Sequence, residues 1–240
     1  MNPINFDGQV VLVSGASGNL GAAVARAFAA AGAQLVLADR ATDRLPRRFP
    51  ELATSPRHLL LDAVDVTDPA GAQRWVDAAV ERFGRVDVLA NTVGGYRAGQ
   101  PTHETSLETW DFMFRLNARS AFVVSRSVLP AMLAQGSGRI IHTAARAALA
   151  GTANNSAYNA SKSAVVRLVE SMSAEYKHRG LTVNCVLAGT IDTPQNRKEM
   201  PDADTTRWVT PEAIADVFLF LASAAAEAIT GAAVPVYGRS

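Results

Sequence analysis

Two residues four apart, Tyr158 and Lys162, carry the most reactive chemistry in this sequence. On a helix that spacing puts both side chains on one face. A phenol titrates near pH ~10 and exchanges protons poorly at neutrality. An ammonium within ~4–6 Å favours the phenolate and lowers that value. A phenol tuned in this way serves as a general acid or base, typically worth ~10²–10⁴ in rate. What it would serve is indicated near the start of the chain. Gly15, Gly18 and Gly21 form a G-x-x-G-x-x-G turn between an apolar run, Val10–Val13, and an alanine-rich segment, residues 22–31. Gly15 allows a sharp turn, Gly18 a close approach to a pyrophosphate, and Gly21 close packing of helix on strand. The following helix offers free N–H groups to phosphates. Asp39 closes the next apolar run 18 residues after Gly21, where a carboxylate binds a ribose 2′-hydroxyl. That carboxylate repels a 2′-phosphate and so favours NAD(H). Arg40 follows directly and can accommodate the phosphate, which keeps NADP(H) possible.

The rest of the pattern supplies the elements that must position these groups. Strands are expected at 10–13, 35–38, 59–66, 85–91, 139–143, 181–187 and 233–236, as short apolar runs bounded by breakers. Helices are expected at 22–31, 68–83, 107–133, 156–179 and 211–222. The proline-broken, arginine-rich link 41–56 is expected to hold little helix. Gly94-Gly95 ends the fourth strand, and 96–105 reads as a loop at the carboxyl edge of the sheet. The polar stretch 190–208, with Pro194 and Pro201, reads as a substrate lid. Strict alternation of strand and helix predicts an α/β fold: a Rossmann-type, doubly wound, mainly parallel sheet of seven strands with helices on both faces. With no linker or internal repeat, one dinucleotide-binding domain is expected over residues 1–240.

Composition excludes several function classes. A 240-residue chain that is 48% hydrophobic suits one large domain. The net charge is +1, with no block of like charge, so neither nucleic acid nor an anionic membrane is an expected partner. The lone cysteine, Cys185, rules out an intrachain disulfide and suits a reducing cytoplasm, where it is expected as an inert core thiol. The first residues show no basic and apolar leader pattern, and no apolar run nears the ~20 residues needed to span a bilayer. His58, His103, His142 and His178 lack metal-ligand spacing, so no metal is expected. Ser161 and Ser163 have no base partner and are not expected as nucleophiles.

Taken together, the chain resembles the short-chain dehydrogenase/reductase family over nearly its whole length. The matching stretches are Ser14 to Gly21, Asp65-Val66, Asn91 to Gly94, Asn117, Tyr158-Asn-Ala-Ser-Lys162, Gly189 to Thr193 and Ile229-Thr-Gly231. The resemblance implies an NAD(P)(H)-dependent oxidoreductase with Tyr158, Lys162 and Asn117 as its catalytic residues. Lys162 would also bind the nicotinamide ribose, and Asn117 would hold a water in a proton relay. The cofactor would be held by Gly15, Ser17, Gly18, Asn19, Leu20 and Gly21 in the turn, and by Asp39 and Arg40 after the second strand. Asp65 and Val66 would take the adenine, with further contacts from Asn91, Gly94, Thr143, Gly189, Ile191 and Thr193. A small-molecule substrate would meet Tyr96, Arg97, Ala145, Arg146 and Asn155. A homodimer or homotetramer is expected, paired through the 107–133 and 156–179 helices.

The sequence also departs from the family pattern. The middle glycine of the turn stands at Gly18, with Asn19 in its usual place, and Ala188 replaces the proline before Gly189. The family's catalytic serine, 13 residues before the tyrosine, is Ala145. The turn spacing, the missing serine and the stretches 144–152 and 191–208 resemble the dihydropteridine reductase branch. An activated carbonyl, quinonoid or imine-like acceptor is therefore expected. The alternatives are dihydropteridine reduction proper and a nucleotide-binding regulatory protein with little turnover.

Overall fold

Successive residues of the first apolar run face opposite ways, and both ways are buried. Val10 and Leu12 belong to one hydrophobic core, Val11 and Val13 to the other. That is the pattern of a central strand covered on both faces. A computed structural model describes residues 4–239; residues 1–3 and 240, which the expected domain includes, lie outside the described residues. Seven strands form one sheet: β1 (Val10–Ser14), β2 (Gln34–Ala38), β3 (His58–Leu61), β4 (Val88–Asn91), β5 (Gly138–Ala145), β6 (Leu181–Ala188) and β7 (Ala233–Val236). Their order is β3-β2-β1-β4-β5-β6-β7, and every pairing is parallel. The sheet is thus wholly rather than mainly parallel.

Among the described residues nine α-helices connect them: α1 (Asn19–Ala30), α2 (Arg44–Arg48), α3 (Pro50–Ala53), α4 (Pro69–Phe83), α5 (Leu107–Met113), α6 (Ser120–Gln135), α7 (Ser156–Tyr176), α8 (Pro194–Glu199) and α9 (Pro211–Ala222). One face of the sheet buries Trp75 of α4, Val128 and Met132 of α6, and Val165 and Val169 of α7. The other buries Val24 and Phe28 of α1 with Ile214 and Phe218 of α9. The chain moves outward from β1 to β3, then restarts on the far side of β1 at β4. The crevice left at that reversal, outside the strands' carboxyl ends, is where ligands bind in such sheets.

The structure corrects the expectations in four places, one of them the fourth strand, which starts at Val88 instead of 85. The third strand stops at Leu61 instead of 66. Ala63 takes a left-handed conformation (φ 59°), and the Asp65 carboxylate accepts hydrogen bonds from the Thr67 amide and hydroxyl at 2.9 and 2.7 Å. Such a local side-chain turn competes with strand pairing. The link 41–56 holds two short helices, because Pro46 lies in the first turn of α2 and Pro50 opens α3, where no N–H is required. The single helix expected over 107–133 is interrupted by a π-helical turn, Phe114–Arg119, between α5 and α6. The stretch 190–208, expected as a lid, contains α8 and a 3₁₀ turn, Thr205–Arg207, and its ends are drawn together where Ile191 pairs with Val209.

Candidate active site

The glycine turn leaves the first amides of α1 without a side-chain partner, while the turn's own Ala16, Ser17 and Gly18 amides are bonded to Ala38, Asp39 and Gly15. Gly15 is left-handed (φ 63°), and Gly18 caps α1 without a side-chain hydrogen bond, so no side chain serves the first amides, from Asn19 and Leu20 to Gly21. A Cβ on Gly21 would stand 2.8 Å from Thr92 Oγ1 and 2.9 Å from Ala16 Cα, so only glycine lets α1 close onto the sheet here. Beside the turn, the Asp39 carboxylate accepts from the Ser17 amide at 3.2 Å, the Ser17 hydroxyl at 2.5 Å and the Ala41 amide at 3.0 Å. Arg40 is exposed. Across the next loop, Arg115 donates to Thr67 Oγ1 at 3.1 Å and to the Asp65 carboxylate at 3.2 Å. Asp65 is held below the usual carboxylate range: its burial opposes this, but Thr67, Arg115 and Arg40 outweigh it. Val66 is buried. Helix-terminal amides without side-chain partners, a fixed carboxylate beside them and a loop flanked by buried Val66 are groups that suit a dinucleotide laid along the strand ends.

A buried polar chain fixes the strand ends under that surface. Ser14 Oγ donates to Asn91 Oδ1 at 2.6 Å, and Asn91 Nδ2 meets His142 Nδ1 at 3.0 Å. The amide must be the donor in that pair, which leaves the proton on His142 Nε2, 2.9 Å from Ser125 Oγ. Burial, with the Lys162 charge nearby, pushes the His142 pKa down to about 3, so this imidazole is a neutral structural group. Thr143 Oγ1 donates to the Asn91 carbonyl at 3.0 Å and is thereby committed.

Asn117, on the π-helical turn, grips the loop after β4. Its Oδ1 accepts from the Gly95 amide at 3.0 Å, and its Nδ2 donates to the Gly95 carbonyl at 3.2 Å and to Ser161 Oγ at 3.0 Å. π turns recur at functional sites because they redirect side chains that a regular helix would not. Gly94 lies where Asn117 and Lys162 converge: a Cβ there would be 2.9 Å from Lys162 Nζ and 3.1 Å from Asn117 Oδ1. Lys162 is 4% exposed, and its Nζ donates to the Thr143 carbonyl at 3.0 Å. Burial lowers its pKa to about 8.

Tyr158 is half-buried, and its hydroxyl has no hydrogen-bond partner among the described residues. Burial, with Tyr96 beside it, pushes the phenol up to about 12. The depression expected from Lys162 is not found, because burial desolvates the phenol and that ammonium is turned to Thr143. Ser161 Oγ donates to the Tyr158 carbonyl at 2.8 Å and Ser163 Oγ to the Ala148 carbonyl at 2.9 Å, so both serines are structural.

Of the expected substrate contacts, the structure gathers Tyr96 and Asn155 around Tyr158. The Tyr96 ring meets the Tyr158 ring edge to face, with centroids 4.8 Å apart and planes at 82°. Tyr96 Oη donates to Asn155 Oδ1 at 2.8 Å. Ala145 ends β5 opposite Ala188. Arg97 instead turns to α5, 3.6 Å from the Glu108 carboxylate and 4.2 Å over the Phe112 ring. Arg146 lies 5.4 Å over the ring of Tyr237. Gly189 pairs with Val236 at 3.0 Å, and Thr193 caps α8 through the Asn196 amide at 3.1 Å. Cys185 is buried in β6, as expected. Sequence reasoning misses Ser125 and Arg115, and gives no role to Ser14 and Thr92 within the matching stretches, because the partners of all four come from distant elements and follow no periodic signal.

Among the described residues no helix is long and apolar enough to cross a membrane. A family model described as enoyl-(acyl carrier protein) reductase matches residues 15–238. The chain is 34% identical to D-threitol dehydrogenase of Mycolicibacterium smegmatis, covering 97% of this chain and 93% of that protein. It is 33% identical to the 2,5-dichloro-2,5-cyclohexadiene-1,4-diol dehydrogenase LinX of Sphingobium indicum, over 96% and 95%. The crystal structure of gox2181 superposes with a TM-score of 0.91 at 28% identity, covering 98% of this chain and 96% of that one. Agreement of fold, family model and end-to-end relatives makes this chain a member of the short-chain dehydrogenase/reductase family, enzymes that carry out oxidoreductions with NAD(P)(H).

Proposed function

We propose that this enzyme transfers a hydride between NAD(H) and an activated carbonyl, quinonoid or imine-like acceptor, with Tyr158 as the proton donor. The observation that carries this reading is the convergence of Gly94 and Asn117 on Lys162 of α7, the helix that also presents a phenol with no hydrogen-bond partner among the described residues. When bound, the nicotinamide cofactor supplies or takes up the hydride. Gly15, Ser17, Gly18, Asn19, Leu20 and Gly21 would hold its phosphates, Asp39 its adenosine ribose, and Asp65 with Val66 its adenine. Lys162 would hold the second ribose beside Asn91, Gly94 and Thr143, and Ile191 and Thr193 would close over it with 190–208 as a lid. Tyr158 Oη, kept protonated at neutral pH by its burial, gives its proton to the acceptor's oxygen or nitrogen.

The acceptor class follows from what β5 lacks. Ala145 offers no hydroxyl, and the Thr143 hydroxyl is occupied by Asn91. A substrate whose conjugated system absorbs the added electrons needs no such donor. The two relatives named above are called after a polyol and after a cyclohexadiene diol, so family membership leaves the acceptor to these local features. The resemblance of 144–152 and 191–208 to dihydropteridine reductase places quinonoid dihydropterins among the acceptors to test. Leu107 and Phe122, 80% and 53% exposed on α5 and α6, support assembly as a homodimer or homotetramer, and the lone cysteine supports a cytoplasmic location.

The test is Tyr158→Phe, assayed by steady-state turnover and by NADH fluorescence titration. Turnover is expected to fall ~10²–10⁴-fold, while the NADH dissociation constant stays within about twofold, since the phenol acts only as the proton moves. Most of the activity surviving would remove Tyr158 as the acid.

A further inference from the structure

Tyr96 is 64% exposed, yet it is held in one place. At its root, Asn117 bonds both the amide and the carbonyl of Gly95, which pins the backbone there. At its tip, the hydroxyl is latched to Asn155 Oδ1 at 2.8 Å. Beyond it, the Gly99 amide donates to the Asn154 carbonyl at 2.8 Å. Asn154 and Asn155 immediately precede α7, which carries Tyr158. The loop after β4 and the catalytic helix therefore share one frame, and the two phenol rings meet within it.

We propose that Tyr96 is a specificity-determining residue: its ring and that of Tyr158 form an aromatic corner that selects flat, conjugated ring acceptors over open-chain ones, with Asn155 holding Tyr96 in position. The proposal rests on Tyr158 being the acid. An acceptor atom must come within ~2.6–3.2 Å of Tyr158 Oη to receive its proton, and Tyr96 stands beside that approach. Aromatic rings prefer offset-stacked or edge-to-face contact, both of which a fixed ring wall can offer to a flat conjugated acceptor. An open-chain carbonyl has no ring face to place there. The neighbouring cation does not contribute charge recognition, since Arg97 is engaged by Glu108 and Phe112 on α5. Selection is thus by shape and π surface, and it stands apart from the missing hydroxyl at Ala145.

The test compares isatin with 2,3-butanedione. Both carry an activated 1,2-dicarbonyl, one in a planar fused ring and one in an open chain. In Tyr96→Ala the isatin-to-butanedione ratio of kcat/KM is expected to drop about five- to tenfold, mainly through the KM of isatin. In Tyr96→Phe, which keeps the ring and loses the latch, the drop is about twofold. Loss of activity common to both acceptors cancels in the ratio, so an unchanged ratio in Tyr96→Ala overturns the proposal. The same comparison is made without turnover, from dissociation constants on enzyme saturated with NAD⁺, where neither acceptor can be reduced. Tighter binding of isatin that Tyr96→Ala removes supports the proposal; equal binding of the two by the unmutated enzyme overturns it. Failure of the acid assignment shows separately, as Tyr158→Phe that still turns over with the isatin preference intact.

Discussion

Lys162 Nζ donates to the backbone carbonyl of Thr143 at 3.0 Å, so an almost fully buried ammonium is met by a neutral dipole. Its pKa falls from the ordinary 10.5 to about 8 because burial penalises the charge. Below pH 8 both the folded and the unfolded chain carry the proton, and the folded chain bears the full cost. Between pH 8 and 10.5 only the unfolded chain holds it, so stability rises with pH. Lys162→Met removes a cost of about 3 kcal/mol and forfeits a hydrogen bond worth about 1–2 kcal/mol. The variant is expected to lose turnover by ~10²-fold or more and yet melt ~3 °C higher at pH 7. The gain should shrink toward pH 10. A variant that melts below the parent at pH 7 would show that the ammonium is not strained by its burial.

His142 makes a second pH-dependent contribution, of acid lability. Its folded pKa is about 3 against an ordinary 6.5. Between those values only the unfolded chain takes the proton, so stability is intact above pH 6.5 and declines as pH falls toward 3. The slope is at most ~1.4 kcal/mol per pH unit. His142→Gln cannot titrate. Urea unfolding at pH 7 and pH 5 should show the parent losing about 2 kcal/mol more than the variant between the two. Equal losses would mean that His142 is solvated or charged in the fold.

Asp39 is the basis for expecting NAD(H). Its carboxylate lies at the cradle, fixed by three hydrogen bonds from Ser17 and Ala41, and a 2′-phosphate would bring like charge against it. NADH is expected to bind at least ~10-fold more tightly than NADPH, and Asp39→Ala, with Arg40 retained, should close most of that gap in fluorescence titrations. Equal dissociation constants in the unmutated enzyme would sink the preference.

Assembly is read from the outer face of α5 and α6. Leu107 is 80% exposed, Phe122 53% and Trp110 40%, apolar side chains of the kind that an interface covers. Light scattering is expected to give a multiple of the 25.3 kDa chain. The double variant Leu107→Glu/Phe122→Glu should shift it toward a single chain. A monomer at micromolar concentration in the unmutated protein contradicts the reading.

What could be read from the sequence is what repeats or punctuates. The run from β1 to Asp39 is legible because strand, glycine turn, helix and acid each leave a local signal, and all four agree. The π-helical turn at 114–119 is not, because a shift from four- to five-residue hydrogen bonding selects no residue type. The chain Ser14–Asn91–His142–Ser125 draws on three strands and a helix, so none of its members stands out alone. The tuning of Tyr158 is misread for a related reason: the spacing to Lys162 is visible, but the competing partner is a backbone carbonyl, which every residue has.

The last prediction concerns Ala145. A hydroxyl at this place on β5 would steady the substrate oxygen as negative charge grows on it, and losing one such donor costs ~10²–10³ in kcat elsewhere. Two nearby hydroxyls could compensate. Thr143 Oγ1 is bound to the Asn91 carbonyl and is spoken for. Ser156, the first residue of α7, forms no side-chain hydrogen bond among the described residues and is the remaining candidate. If nothing compensates, plain ketones should be reduced ~10²-fold less efficiently than quinonoid or other conjugated acceptors, and Ala145→Ser should raise the ketones most. If Ser156 compensates, plain ketones are already reduced well, Ala145→Ser adds little, and Ser156→Ala lowers ketone turnover alone. Steady-state kcat/KM for one plain ketone and one quinone, across the parent, Ala145→Ser and Ser156→Ala, separates the two. We expect the first outcome, because the free hydroxyl of Ser156 lies on the opening turn of α7, whereas the lost one would have stood on the rigid end of β5, already aimed.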